Sequence, residues 1–248
     1  MNQSGISGPR VSTRNSDVPI RVGFLTEGND HHILRAYLAK LLDVHHDEIE
    51  PDFIDGTHGH EYVSRTIDSA LRRFYHRCNG LVVVSMDNDG SEDLISTGDQ
   101  QDPRRPRPWL HQQEKNHPGC RWCLIHDRIE STRPHLNWIP KKPSETWPIV
   151  IAVPVEMIEA WLLTTQAVLE PGSGSLHAER ERRADFKMRF YGRPEATLKD
   201  VKSKAVPMIR HLELDHIKSI CEHSLSFLDF ADQIRHHSDE ILTAPECW

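Results

Sequence analysis

The sequence predicts an α/β fold: a central, mostly parallel four-stranded sheet flanked by helices, with an insertion after the third strand and a helical C-terminal region. Three observations predict it. Leu81-Val82-Val83-Val84-Ser85-Met86 is an apolar, β-branched run behind Gly80, the mark of a strand buried on both faces. Helical spacing of apolar residues both follows the first strand and precedes this one, and parallel strands need crossovers of that length. A further apolar run, Trp147–Pro154, leads directly into another helical pattern.

Residues 1–17 are poor in apolar side chains and read as a disordered leader. Ile20–Leu25 is a short strand. Thr26-Glu27-Gly28-Asn29-Asp30 follows as a tight turn, in which Gly28 permits the bend and Asn29 or Asp30 can cap the next helix. Ile33, Leu34, Tyr37, Leu38, Leu41 and Leu42 recur at helical spacing. A weaker strand near Ile49–Ile54 contains Pro51, which places it toward a sheet edge. Val63, Ile67, Ala70, Leu71, Phe74 and Cys78 mark the second helix.

The pattern breaks after Gly90, and residues 91–145 are read as an insertion within a domain spanning 18–170. Gly172-Ser173-Gly174-Ser175 is a break before a helical region, 171–248, packed on the core. Its expected parts are a charged helix over 176–190, a basic segment 191–204, and helices near 207–212 and 215–236.

The 248-residue chain is 37% hydrophobic and carries a formal charge of −7. It has neither a hydrophobic leader nor an apolar run of membrane-spanning length, so a cytoplasmic protein without membrane partners is expected. Five cysteines in such a chain point to reduced thiols or metal ligands. The charge is uneven: residues 103–142 hold nine Lys/Arg against three Asp/Glu, and 176–204 nine against five. Basic patches on an acidic body suit local phosphate binding, whereas the plainer reading is solvated faces. Arg104, Arg105 and Arg107 in the first patch, and Lys199, Lys202 and Lys204 in the second, are the candidate nucleic-acid contacts.

Chemistry concentrates where strands end. Asp87 and Asp89 follow the Leu81–Met86 strand, two apart and so projecting together, and Glu27 follows the first strand. In open α/β sheets that carboxyl edge is where ligands bind. Like charges placed together call for a proton or a cation, and oxygen ligands suit Mg²⁺ or Mn²⁺. Asn88-Asp89-Gly90 as a simple turn is the competing reading. Glu156 and Glu159 open the helix after Val153-Pro154, where the helix dipole alone could account for them, although the same edge would receive them. Within the insertion, His117, Cys120, Cys123 and His126 form a uniform x2 spacing that zinc could accept. A helix from Trp122 with Cys123 packed inward competes with it.

Glu27-Gly28 after strand one, Asp87-x-Asp89 after strand three and an acidic helix after strand four together resemble the TOPRIM fold. That Rossmann-like metal-binding domain occurs in topoisomerases, primases and nucleases of the overcoming-lysogenization-defect group. Val153-Pro-Val-Glu-Met-Ile-Glu159-Ala-Trp161-Leu-Leu resembles a helix of a bacterial TOPRIM-like family akin to anticodon-nuclease-associated and phage-defence proteins, often encoded beside an ABC-type ATPase. The resemblance covers about residues 19–170. It implies that Glu27 is a general acid/base or metal ligand, that Asp87 and Asp89 are metal ligands, and that Glu159 is a second-metal ligand or orienting group. Glu156 lies one position off the pattern. A metal-dependent nuclease working with an ATPase in phage defence is the implied function.

Two rivals stand beside it. One is a TOPRIM-like sensor or scaffold subunit active only on an ATPase, since the chain has no Gly-x-x-x-x-Gly-Lys-Ser/Thr loop of its own. The other is a phosphatase resembling the haloacid-dehalogenase type, whose Asp-x-Asp motif usually sits on the first strand. Self-association is left open.

Overall fold

The computed structural model describes residues 18–54, 59–88, 120–136, 147–155, 157–181 and 185–243. Its centre is a four-stranded, all-parallel sheet formed by β1 (Ile20–Leu25), β2 (Ile49–Ile54), β3 (Leu81–Ser85) and β4 (Ile149–Ala152), in the order β2-β1-β3-β4. The expected fold class is therefore present. Pro51 lies in edge strand β2, where a missing ladder donor is tolerated.

Side chains alternate between two cores, as a sheet covered on both faces requires. Val22, Phe24, Leu81, Val83, Val150 and Ala152 face one core, and Leu25, Val82, Val84, Ile149 and Ile151 face the other. Helices α1 (Asp30–Leu41) and α4 (Ile158–Leu169) cover the first face. Helices α2 (Gly59–His76) and α3 (Arg121–Thr132) cover the second. Gly23 is dictated by α2: a Cβ there would lie 2.5 Å from Phe74 Cγ. The chain steps one way from β1 to β2 over one face, and the other way from β2 to β3 and β3 to β4 over the opposite face. All three crossovers thus share one hand, which in nearly all such units is right-handed.

Part of the stretch read as an insertion belongs to the core. Helix α3 is the crossover between β3 and β4, and Ile125 and Ile129 are buried against α2 and the sheet. The sequence offers this helix only as the competing reading from Trp122 and does not predict its place as a crossover in the core; Cys123, Ile125 and Ile129 are its buried apolar positions.

The C-terminal region joins the first core rather than building its own. A 3-10 turn (Ala178–Arg180), α5 (Phe186–Tyr191), α6 over 198–210, α7 (Leu214–His223) and α8 (Leu225–Thr243) contribute Phe186, Phe190, Ile209, Phe227 and Phe230 to it. The charged helix expected over 176–190 is instead the 3-10 turn and short α5, and the basic 191–204 segment is a loop to 197 followed by the first turns of α6. Helix α6 carries a π-helical stretch, Val201–Ala205, just before Pro207; the wider turn suits a residue that lacks an N–H. The helix expected over 215–236 is broken at Ser224, which has extended backbone and lies between α7 and α8. On the open edge of β4, Gln233 of α8 accepts from Ile151 N–H and donates to Ile151 C=O, both at 2.9 Å, standing in for a fifth strand. No helix among the described residues is long and apolar enough to cross a membrane. Cys120, Cys123 and Cys221 are outside any disulfide, but Cys78 is disulfide-bonded, which the expectation of reduced thiols or metal ligands does not include.

Candidate active site

Strands β1 and β3 are neighbours whose chains depart in opposite directions, so the gap beyond their carboxyl ends is the sheet's topological switch point, the usual ligand site of such folds. Glu27 and Asp87 meet there. Gly28, at φ +54°, turns the chain after β1 so that Glu27 Oε1 accepts the Asp87 backbone N–H at 3.1 Å. Asp87 Oδ1 in turn accepts the N–H of Ile158 at 3.1 Å, in the first turn of α4, where the helix's positive end favours a carboxylate. Asn88 continues the sheet by bridging to Val155.

Two more carboxyl groups stand behind this pair. Asp30 opens α1 and Glu159 opens α4; Glu159 is 3% exposed. Asp30 retains some surface as a residue, but its carboxyl group is buried. Burial first, then the charges of Glu159 and Glu27, push its pKa well above the usual carboxylate range, and Lys187 on α5 opposes the shift. The Tyr191 hydroxyl closes this side. It is buried with no hydrogen-bond partner among the described residues, and burial followed by Glu159 and Asp30 raises its pKa.

Of the residues expected at the edge, Glu27 and Asp87 meet, Glu159 lies deeper beside Asp30, and Asp89 and Glu156 lie outside the described residues. Asn29 occupies the N-cap position of α1, but its side chain makes no capping hydrogen bond. Sequence reasoning missed Asp30, Lys187 and Tyr191. It reads Asp30 as a cap, although the place of this residue three positions after Glu27 in a strand-end turn is a usable signal. Nothing local in the sequence announces Lys187 or Tyr191, which arrive through the docking of α5 on α4. Among the described residues no three His, Cys, Asp or Glu side chains are grouped closely enough to share a metal ion.

The raised pKa of Asp30 yields a prediction. A carboxyl whose folded value exceeds its unfolded value favours folding at low pH, and that contribution is lost as pH rises through the folded value. Asp30→Asn should therefore raise the metal-free melting temperature at pH 8 by a few degrees, about 1 kcal/mol, and change it little near pH 4. A drop at both pH values, read by thermal melts in chelator, would make Asp30 a helix-start residue only.

The cysteine motif lies apart from this edge. Cys120 precedes α3 and its Sγ accepts the Cys123 N–H at 3.5 Å; Cys123 is buried, as the packed-helix reading expected. Burial pushes the Cys120 thiol up to about 11. His126 is exposed and stacked on Trp122, with ring centroids 5.0 Å apart, and His117 lies outside the described residues. Arg104, Arg105 and Arg107 lie outside them too. The three candidate lysines differ: Lys199 and Lys202 are exposed, whereas Lys204 donates to the Phe190 carbonyl and sits over the Phe190 ring, 4.7 Å from its centroid.

Comparison of the chain with protein-family models, with curated proteins and with solved structures gives no match.

Proposed function

We propose that this chain is a divalent-metal-dependent phosphodiesterase acting on nucleic acid, a TOPRIM-like nuclease that works beside an ATPase partner in phage defence. The observation that carries the reading is the convergence of Glu27 and Asp87 at the switch point, backed by Asp30 and Glu159. An all-oxygen donor set fits Mg²⁺ or Mn²⁺, and the charges of Glu159 and Glu27, which after burial raise the Asp30 pKa, are what a cation would offset. Glu27, Asp87 and, from the sequence, Asp89 would hold the ion, with Glu159 behind them. When bound, it would polarise the phosphodiester and lower the pKa of an attacking water.

The chain's own groups supply positioning. The Asp87 N–H fixes Glu27, and the start of α4 fixes Asp87, so neither carboxylate needs to reorganise when charge develops. Lys187 and the Tyr191 hydroxyl lie within electrostatic reach of the deeper carboxyls. Phe53, 46% exposed at the end of β2 and stacked on His31 at 4.4 Å, offers a ring for a base at the same edge. Lys199 and Lys202 would contact phosphates. Lys204 is assigned to structure: Lys204→Ala should destabilise the α5–α6 packing, and Lys199→Ala should weaken binding alone.

One observation favours the partner-activated reading. Glu159 is almost wholly buried and Tyr191 lies against it, so the deeper carboxyls need an opening that an ATPase partner could drive. The deciding assay incubates purified protein with Mg²⁺ or Mn²⁺ and labelled DNA or RNA, alone and with the protein encoded beside it. Metal-dependent cutting by the chain alone supports the nuclease, cutting only with the partner supports the activated subunit, and no cutting in either arm overturns both. A phosphatase would instead form an acyl phosphate on Asp87.

Zinc at His117, Cys120, Cys123 and His126 is a separate proposal for a structural ion. It would require Cys120, Cys123 and His126 to turn toward one another, since no three described side chains are grouped closely enough to share an ion. Elemental analysis of protein purified without chelator should then give about one zinc per chain, released by serine at both cysteines. Metal-free protein of unchanged stability would assign both thiols to helix packing.

A further inference from the structure

A row of basic side chains, three of them cationic and two of them imidazoles, runs along α1 away from the carboxylate edge. His32, in the first turn after Asp30, interacts with Lys202 of α6, with Arg35 and with His46. Arg35 Nη2 donates to the His46 carbonyl at 3.0 Å, and Arg210 Nη2 lies 2.8 Å from His46 Nδ1. His46 Nδ1 also lies 3.4 Å from Asp47 Oδ1, so the ring sits between a guanidinium that only donates and a carboxylate that only accepts. Arg35 Nε is buried with no acceptor among the described residues. Asp47 is the acid in this row, 3.9 Å from Arg210 and 3.4 Å from His46, and its side chain is 72% exposed. His32 and Arg35 are three residues apart on α1, about 4.5 Å along its axis. Lys202, His46 and Arg210 widen this into a patch that begins beside Asp30.

We propose that His32, Lys202, Arg35, His46 and Arg210 form a track for the phosphates of a single nucleic-acid strand whose scissile bond lies at the carboxylate edge. The inference rests on the nuclease reading and names how its substrate is held. Nothing in the row reads bases, so binding is sequence-tolerant and salt-dependent.

The protonation states follow from the same crowding. Burial first, then His31, Lys202, Arg35 and His46, lower the His32 pKa to about 4. Burial and Arg35 lower that of His46, with Arg210 acting the same way and Asp47 opposing. Both imidazoles are thus neutral in the free protein at neutral pH. A phosphate placed among these groups offsets the cations and raises both values. Binding should then take up protons and strengthen as pH falls toward 5.5.

The test is fluorescence anisotropy of a labelled twelve-nucleotide oligothymidylate, and of its ribo-counterpart, with the full chain in chelator. Salt and pH are varied, and each variant is checked for folding by its melting temperature. Arg210→Gln with Lys202→Gln should weaken binding about tenfold or more. The slope of log affinity against log salt should fall by about 1.4, at about 0.7 for each phosphate that the variant leaves unneutralised. Lys218→Gln, an exposed lysine on α7 paired with Asp215, is the control and should change neither. His32→Gln with His46→Gln should abolish the strengthening at low pH. An unchanged salt slope in the Arg210/Lys202 variant, or an equal loss in the Lys218 control, overturns the track. Cleavage separates the two ideas. A wild type that cuts with Mn²⁺ while the track variants bind normally removes the track and keeps the nuclease. A wild type that binds through the track and never cuts removes the nuclease and keeps the track.

Discussion

Asp87→Asn should lower metal-dependent cleavage by more than about 100-fold while leaving the protein folded. Removing a group that only orients a metal ligand already costs about 10–100-fold, and Asp87 is placed to be a ligand itself. The substitution is chosen for what it preserves. An asparagine oxygen can still accept the Ile158 N–H, and the backbone N–H that Asp87 gives to Glu27 is untouched. What disappears is one negative charge beside Glu27. In chelator the melting temperature should hold or rise slightly, because a like-charge repulsion is gone. Added Mn²⁺ should raise the wild-type melting temperature and move the variant far less, since only binding to the folded state stabilises. Asp87→Ala is the complement: it also removes the acceptor for Ile158 and should cost about 1 kcal/mol of stability. A variant Asp87→Asn that cuts at the wild-type rate would reduce Asp87 to an anchor for the start of α4.

The parts of this site that are legible in the sequence are those fixed by short-range rules. A strand of period two carries its last polar residues to a known edge, so Glu27 and Asp87 can be placed together from the sequence alone. The apolar run at Leu81–Met86 and the Pro51 interruption show which strand is central and which lies at an edge. What is illegible depends on docking between segments distant in the chain. Tyr191 and Lys187 reach the carboxyl groups only because α5 packs on α4, and their local sequence gives no hint of it. The same holds for Arg35, His46 and Arg210, which come from three elements. Helix α3 is legible as a helix from Trp122, but not as part of the core, because its apolar stripe is narrow and follows a long polar run. The Ser224 break is readable as Ser-Leu-Ser, an N-cap pattern, but only its partner explains why the chain stops there.

That partner is Glu179, and Glu179→Ala should be the most destabilising substitution in the C-terminal region, costing about 3–5 kcal/mol. Glu179 is 4% exposed and lies in the 3-10 turn after the glycine-rich break. Its carboxylate accepts from Ser224 Oγ at 2.6 Å, from Leu225 N–H at 2.9 Å, from Ser226 N–H at 3.3 Å and from the Ser226 hydroxyl. It thereby satisfies the first donors of α8, which otherwise have no intrahelical acceptor. Burial pushes its pKa up, and the hydrogen bonds from Ser224 and Ser226 oppose that shift. Truncation would leave all four donors buried without this acceptor. The damage would spread to the site, because Ser226 Oγ also takes the Trp161 Nε1–H at 2.7 Å and lies 3.4 Å from Val155 N, tying α8 to the turn that enters α4. At about 2–4 °C per kcal/mol for a chain of this size, the melting temperature should fall by roughly 10 °C. Glu179→Gln keeps one acceptor oxygen but turns an amide N–H₂ toward other donors, so an intermediate loss of about 1–3 kcal/mol is expected. Urea unfolding of the two variants checks the order. A loss under about 1 kcal/mol for Glu179→Ala would mean that α8 docks through Phe227, Phe230 and Ile234 alone and does not need its buried cap.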